Sequence, residues 1–258
     1  MRFVDLSVDL DNNEQWAPRW ARNQVKRQDH KFGRRVIRKM FHLAPRHLRS
    51  GVGWASDRIG LSTHGTTHLD APWHFAPTSE GKPAKTIDQV PLEWCYGNGV
   101  VLDLRHKRDG EAVTVDDLQA ALDKIGYTIR RMDIVLVMTG NDRMLGTPDY
   151  FDHGPGVSAA ATRWILDQGV KITGIDSWGW DAPLPVLAAK ARESGRRDLF
   201  WEAHYVGIDK EYCHLERLTN LDQLPSFGFK VCCFPLKVKG GSAGPARVVA
   251  MIEETAGL

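Results

Sequence analysis

The chain has 258 residues, of which 42% are hydrophobic and 26% are charged, and its formal net charge is +2. This composition is that of a globular protein and excludes collagen-like, coiled-coil and disordered proteins. No segment approaches the ~18 consecutive apolar residues of a membrane span, and the first residues lack a signal-peptide pattern. We therefore expect a cytoplasmic protein that is not bound to a membrane.

The positive charge is concentrated near the N-terminus. Eleven Lys and Arg residues and one acidic residue lie between Arg19 and Arg49, which leaves 23 basic and 31 acidic residues elsewhere. Large apolar side chains interrupt this basic segment, unlike a purely electrostatic tail. We interpret residues 1–50 as an extended basic N-terminal arm that packs on the body of the protein or on a partner subunit, and residues 51–258 as the remaining domain. A lid that attracts anionic small molecules and, more remotely, a nucleic-acid contact are the alternatives.

Strand and helix patterns alternate in the second half of the chain. Predicted strands cover residues 100–104, 133–138 and 170–175, and predicted helices begin after Thr114 and Ser158 and end before Gly126 and Gly169. A further helix over 186–192 and strands over 229–238 and 247–252 follow. This order predicts an α/β fold with some parallel strand pairing.

One short segment carries most of the side chains that could do chemistry. Three histidines and one aspartate fall within eleven residues there, separated by even numbers of residues: His64, His68, Asp70 and His74. In an extended segment, alternation places all four on one face of a strand. Imidazole and carboxylate groups together suit zinc, manganese or iron(II). The alternative treats each histidine as an isolated core or surface residue, and it leaves four polar groups on one face without a compensating cation.

The same segment resembles the H-x-G-T-H-x-D-x-P-x-H motif of the putative cyclases, a family of metal-dependent hydrolases that includes bacterial kynurenine formamidase and isatin hydrolase. It has the sequence H-G-T-T-H-L-D-A-P-W-H from residue 64 to residue 74. The resemblance continues through residues 87–92, 176–177, 204–221 and 240–247 and so covers most of the chain after residue 60. Thr66 stands where the family usually has glycine, with Gly65 one position earlier, and the ligand spacing is unchanged.

The resemblance implies roles for the residues of this motif. His64, His68 and Asp70 would be the ligands of a divalent metal ion, zinc or manganese. His74 would be the catalytic histidine beside the metal-bound water.

A second cluster matches the pattern of two-metal family members. The resemblance makes His204 and Glu216 the residues that complete a second site, with Asp70 bridging, so one or two ions per subunit are expected. It assigns His214 no role, and we expect that histidine at the surface or behind the ligands. The implied fold is a single swivelling β/β/α-type domain with a mixed sheet and flanking helices, and the implied assembly is a homodimer or homotetramer.

The chemistry of such a site predicts a hydrolase. A divalent cation lowers the pKa of bound water toward ~7 and polarises a scissile carbonyl. His74 or Glu216 could then carry a proton to the leaving group. We expect hydrolysis of an amide, formamide or lactone bond in a small aromatic or cyclic substrate, in the manner of isatin hydrolase or an arylformamidase. A metal-dependent lyase or cyclase acting on a small carbonyl compound is the alternative, and a non-enzymatic basic nucleic-acid-binding protein is a more remote one.

Four residues are candidates for substrate binding. Trp73 lies within the metal motif, and Trp178 and Trp180 follow the strand that ends near Asp176, so they could line a pocket for a flat ring. Arg247 could orient a substrate carboxylate, and a structural ion pair is an equal alternative for it.

Overall fold

The computed structural model describes residues 1–12 and 17–253. They divide into two compact units, one formed by Met1–Asp9 and Thr63–Leu258 and the other by Leu10–Ser62.

The strands are short except in the centre of the main sheet. In chain order they are β1 (Arg2–Asp5), β2 (Gln24–Lys26), β3 (Arg58–Gly60), β4 (His68–Asp70), β5 (Thr78–Ser79), β6 (Lys82–Pro83), β7 (Tyr96–Asp103), β8 (Ala112–Val113), β9 (Ile134–Met138), β10 (Gly156–Val157), β11 (Ile172–Ile175), β12 (Cys213–Glu216), β13 (Phe227–Cys232), β14 (Ala243–Pro245) and β15 (Val249–Ile252).

The α-helices range from one turn to three turns in length. They are α1 (His30–Phe41), α2 (Pro72–Phe75), α3 (Val115–Ile125), α4 (Asp149–Asp152), α5 (Ala159–Asp167), α6 (Leu184–Ser194) and α7 (Val206–Asp209). No helix within residues 1–12 and 17–253 has both the length and the apolar character needed to cross a bilayer.

Within the described residues, nine strands form one mixed sheet in the order β1-β15-β13-β7-β9-β11-β12-β4-β14. The central strands β7, β9, β11 and β12 are parallel neighbours, and the outer pairs are antiparallel. This arrangement confirms the predicted α/β fold with a mixed sheet and flanking helices.

The apolar core has two layers, one on each face of strand β9. All five of its residues are buried, and they alternate between two apolar clusters. Ile134, Leu136 and Met138 pack in one cluster, and Val135 and Val137 pack in the other, which also contains the apolar faces of α3 and α5. A strand buried on both faces has to be apolar at every position, and the sequence of β9 meets that requirement.

The capping residues of α3 and α5 define the ends of these two helices, as predicted from the sequence. The Thr114 hydroxyl accepts a hydrogen bond from the Asp117 N–H, and the Asp117 carboxylate accepts one from the Thr114 N–H, which together cap α3. Gly126 ends α3 with φ +64°, a conformation that glycine adopts without steric cost. The Ser158 hydroxyl likewise caps α5 by accepting from the Ala161 N–H. The helix predicted over 186–192 lies within α6, and the strand predicted over 229–238 ends earlier, at Cys232.

The N-terminal region differs from the extended arm that its sequence suggested. Strand β1 belongs to the main sheet, and Leu10–Ser62 forms a compact unit that contains α1. Helix α1 forms there because the Asp29 carboxylate caps it by accepting from the Phe32 N–H, while Gly33 and Ile37, four residues apart, are buried on one face. Packing of this region on a partner subunit stays a prediction.

Candidate metal centre

The register between β4 and β12 brings four polar side chains together. The two strands are antiparallel, with His214 opposite Asp70 and Glu216 opposite His68. Because side chains alternate along a strand, all four lie on one face. The intervening leucines of both strands lie on the other face, in the apolar core. All four polar residues are buried.

The motif of residues 64–74 is not one extended strand, so the expectation that alternation aligns its four polar side chains is wrong. Only His68 and Asp70 lie in β4, whereas His64 lies in the preceding turn and His74 lies in α2. Pro72 starts α2 because its fixed φ suits the first turn of a helix. The four side chains nevertheless converge, since the turn and the helix fold back from the two ends of the strand.

The first group of candidate metal-ligand atoms, from His64 and His68, lies around Oδ1 of Asp70. His64 Nδ1 lies 2.8 Å and His68 Nε2 lies 3.2 Å from Asp70 Oδ1, and the two ring nitrogens are 3.2 Å apart. His68 Nδ1 lies 2.6 Å from the Thr66 carbonyl oxygen, to which it donates, and this turns Nε2 toward Asp70. His64 Nε2 contacts Ser242 Oγ at 3.0 Å. Both rings are therefore oriented with a nitrogen toward the same point.

The second group of candidate metal-ligand atoms belongs to His204 and Glu216. Its histidine is oriented by Asp181, a residue that the sequence analysis did not select. The Asp181 carboxylate accepts hydrogen bonds from the backbone N–H groups of Ala203 and His204 and contacts His204 Nδ1. This contact turns His204 Nε2 toward the cluster, where it lies 3.5 Å from Glu216 Oε1. The Trp180 N–H donates to the same Glu216 oxygen at 2.8 Å. A histidine held by a carboxylate behind it is the usual arrangement of a metal ligand.

His214 is a member of the cluster that the sequence reasoning missed. It is fully buried, not at the surface, and its Nε2 lies 3.0 Å from Asp70 Oδ2 and 3.2 Å from Glu216 Oε1. The available signal was its position two residues before Glu216, because residues two apart in a strand share a face.

The two carboxylates are ionised although they are buried. Burial opposes the ionisation of Asp70, but the surrounding histidines, His74 first, hold the pKa of its carboxyl well below the usual range. Burial and repulsion from Asp70 oppose the ionisation of Glu216, and the hydrogen bond and charge of His214 outweigh them and lower its pKa to about 2. The centre therefore presents two buried negative charges to its histidines.

The donor set fits a bound cation. Asp70, His204, His214 and Glu216 each offer one ligand atom, and these four atoms lie within 4.8 Å of one another; His64, Asp70 and His74 form a second such group. Asp70 Oδ1 is buried, with His64 Nδ1 at 2.8 Å and His68 Nε2 at 3.2 Å. A buried carboxylate charge is costly unless a positive charge compensates it. Nitrogen and oxygen donors without thiolate suit zinc or manganese.

His74 lies on the accessible side of the centre, with its side chain 22% exposed. Its Nε2 is 3.8 Å from Asp70 Oδ2, and its ring centroid is 4.1 Å from that of His64 and 5.0 Å from that of Trp201. Burial lowers the pKa of His74 to about 3, despite the opposing charge of Asp70. Its imidazole is therefore uncharged at neutral pH.

Trp201 and Trp180 stack on different histidines of the cluster. Trp201, which the sequence did not select, is partly exposed and stacks on His204 with a centroid separation of 4.3 Å. Trp180 is fully buried, stacks on His214 and donates its indole N–H to Thr162 Oγ1 at 2.9 Å. Trp180 is thus part of the buried wall of the centre, and the expectation that it lines an open pocket is wrong. The partly exposed aromatic side chain beside the centre is that of Trp201.

The other predicted substrate contacts have different surroundings. Trp73 is 47% exposed beside His74. Trp178 is half-buried, and the Arg217 guanidinium lies 4.5 Å from its ring centroid. Arg247 is 75% exposed and forms a two-point ion pair with Asp5, so its position favours the structural alternative.

Comparison with known proteins identifies the class. The family described as putative cyclase matches residues 4–182, and the chain belongs to that family. An isatin hydrolase from Roseibium aggregatum is 25% identical over 231 residues, which cover 86% of this chain and 84% of the relative. A kynurenine formamidase from Erythrobacter litoralis is 27% identical over 198 residues, 74% of each chain.

A solved structure confirms the fold that the motif implied. Isatin hydrolase A from Labrenzia aggregata, bound to benzyl benzoate, matches with a TM-score of 0.75 and 27% identity, covering 98% of this chain and 94% of that chain. The predicted resemblance to the family and the predicted fold class are therefore both confirmed.

Proposed function

We propose that this protein is a metal-dependent hydrolase that opens an amide, formamide or lactone bond in a small aromatic or cyclic substrate, with isatin-like cyclic amides as the first candidates. The observation that carries the proposal is that two groups of histidine and carboxylate side chains meet at Asp70, next to the buried face that β4 and β12 share. The similarity to an isatin hydrolase and to a kynurenine formamidase supports amide-bond hydrolysis.

The residues of the first group would hold zinc or manganese. His64 Nδ1, His68 Nε2 and Asp70 Oδ1 are three donors separated by 2.8–3.2 Å, a spacing that suits ligands of one ion. His204 and Glu216 would complete a second site on the other side of Asp70. A divalent cation supplies Lewis acidity when bound, because it polarises a carbonyl group and lowers the pKa of bound water.

His74 would move the proton that hydrolysis requires. Its Nε2 lies 3.8 Å from Asp70 Oδ2 and its side chain is 22% exposed, so a substrate carbonyl would reach it from the solvent side. It would accept a proton from the attacking water and return it to the departing nitrogen or oxygen. Glu216 fits that task less well, because its Oε1 already accepts the Trp180 N–H and both of its oxygens face histidines.

We further propose a homodimer or homotetramer. Large apolar side chains are exposed in the basic N-terminal unit, among them Met40 at 64% and Phe41 at 54%. Exposed apolar groups of this kind favour a contact with another subunit. Size-exclusion chromatography with light scattering measures the assembly directly, and replacement of both residues by serine is expected to weaken it.

The decisive experiment combines metal content with a substrate panel. Wild-type protein is purified without chelator, its zinc and manganese per subunit are measured, and it is then supplied with isatin, an aryl formamide and an aromatic lactone. His68→Ala removes a proposed ligand, and His106→Ala is the matched control, because the side chain of His106 is 64% exposed and lies outside the cluster.

The metal content and the mass of the product distinguish the proposed hydrolase from its alternatives. Bound metal in the wild type and the control, its loss in His68→Ala, and a product heavier than the substrate by one water support the proposal. A product without added water indicates the lyase or cyclase alternative. Wild-type protein that neither carries nor takes up a divalent ion contradicts the proposed function.

A further inference from the structure

We propose that His214 is a metal ligand, so that the second site has four protein donors and the first site has three. The four donors are Asp70 Oδ2, His204 Nε2, Glu216 Oε1 and His214 Nε2. This inference rests on the proposed function, because it requires that the centre binds divalent metal. It adds a residue to which the family motif gives no role.

The spacing of the donor atoms supports the inference. Around a tetrahedral ion with bonds of about 2.0–2.1 Å, two donor atoms lie about 3.3–3.4 Å apart. His214 Nε2 lies 3.0 Å from Asp70 Oδ2 and 3.2 Å from Glu216 Oε1, and His204 Nε2 lies 3.5 Å from the same glutamate oxygen. These three separations are close to those between ligands of one ion, and the four residues each offer a ligand atom within 4.8 Å of the others.

The surroundings of the His214 ring are mainly aromatic. The ring is fully buried and packs against Phe75, Trp180 and Tyr212. Its Nδ1 has no hydrogen-bond partner among residues 1–12 and 17–253. Its Nε2, by contrast, contacts both carboxylates, so the polar edge of the ring points to the centre of the cluster.

Either a proton or a metal ion must lie between Nε2 and the two carboxylates, because a bare lone pair would face two anions. A proton on His214 would satisfy that side chain alone. It would leave His204 Nε2 and Glu216 Oε1, which lie 3.5 Å apart, without a group that bridges them. One cation between the four atoms resolves both contacts, which is why we favour the metal ion.

The difference in ligand number predicts different roles for the two ions. Four protein ligands make a closed site of the structural type, whereas three ligands keep a position open for water or substrate, as catalytic sites do. The ion at His204 and His214 would accordingly stay bound, while the ion at His64 and His68 would exchange more readily and contact the substrate.

The test measures metal affinity site by site. Wild type, His214→Ala, His214→Phe and the control His106→Ala are loaded with zinc, exposed to increasing chelator and assayed for bound zinc. The phenylalanine variant retains a ring against Trp180, so a folded variant without the donor is obtained even if alanine is not tolerated. Circular dichroism in the presence of chelator compares the folds.

We expect two ions in the wild type and the control, and a second ion bound more than ~100-fold more weakly in both His214 variants. That loss exceeds the upper end of the loss caused by removing a residue behind a ligand. An anomalous-scattering map of wild-type crystals would then place an ion at bonding distance from His214 Nε2. This measurement needs no variant.

The remaining outcomes separate this inference from the proposed function. Two ions held with wild-type affinity by the His214 variants overturn the inference and leave the hydrolase intact. A single ion in the wild type, removed by His68→Ala, also overturns it and indicates that protonated His214 replaces the second cation. No metal in the wild type overturns the proposed function itself.

Discussion

Asp70 and His214 face each other across the antiparallel strands β4 and β12, with His214 Nε2 3.0 Å from Asp70 Oδ2. Leu69 and Leu215 form the next pair in the same register and point into the apolar core. A register slip of one residue would exchange the two faces and place leucines at the centre. The core contacts of these leucines therefore hold the proposed metal ligands in position.

Replacement of Asp181 is expected to weaken metal binding without removing a ligand. Asp181→Asn lowers the charge behind His204 and leaves its ring less firmly oriented, so zinc affinity at that site should fall about 10- to 100-fold. Competition with a zinc-binding dye measures the change. Asp198→Asn is the control, because Asp198 is exposed and pairs with Arg196. An unchanged affinity in Asp181→Asn would show that Asp181 does not position His204.

Replacement of His74 should separate proton transfer from metal binding. In His74→Ala, we expect kcat to fall by about 10²–10⁴, with metal content close to that of the wild type. Stopped-flow or steady-state kinetics and metal analysis of one preparation give both values. If the variant loses metal together with activity, His74 is a ligand beside His64 and Asp70 instead.

Trp201 is expected to contact the ring of an aromatic substrate. It is stacked on His204 and partly exposed, so Trp201→Ala should raise KM for an aromatic substrate by roughly 5- to 10-fold, the equivalent of one lost aromatic contact. Trp201→Phe should recover part of this loss. A matched non-aromatic lactone provides the control, since its KM should change little. An equal rise for both substrates would contradict ring recognition.

The buried hydroxyl of Thr67 should stabilise the fold around the centre. It donates to the Arg217 carbonyl at 2.6 Å and accepts from the Val8 N–H at 2.9 Å. Thr67→Val removes both hydrogen bonds, and the free energy of unfolding should fall by about 1–3 kcal/mol. Urea denaturation measures it. The exposed Thr128→Val is the control, and a loss of equal size there would show that the effect is not specific.

Asp176 is expected to make stability depend on pH. Burial raises its pKa to about 6 from 3.8, although Thr139 and Gly140 donate hydrogen bonds to it. Since the folded state holds this proton more tightly, its contribution is fully present below pH 3.8 and is lost as pH rises through about 6. The loss amounts to about 2–3 kcal/mol.

Urea denaturation from about pH 4 to about pH 7, with chelator present throughout, tests this dependence. The difference in unfolding free energy between the wild type and Asp176→Asn should change with pH in the direction given, with the wild type losing more stability as pH rises. A difference that is constant across the range would contradict the raised pKa.

The sequence predicted those features that depend on neighbouring residues. The caps at Thr114 and Ser158 and the apolar run of β9 specify local geometry, and each led to the element found. The motif around His68 and Asp70 likewise identified a metal-type cluster, because the spacing of its chemical groups is visible without a fold.

The tertiary structure decided which distant residues complete that cluster. His214 meets Asp70, and Asp181 meets His204, only because β12 pairs with β4 and the segment after β11 returns to the same face. The prediction of residues 64–74 as one strand was wrong. A turn and a short helix bring the same four side chains together. Strand register and long-range packing, which arise from the whole apolar core, are not encoded in any short window of the chain. The sequence by itself thus determined the class of chemistry, and the three-dimensional fold determined the ligand set that would carry it out.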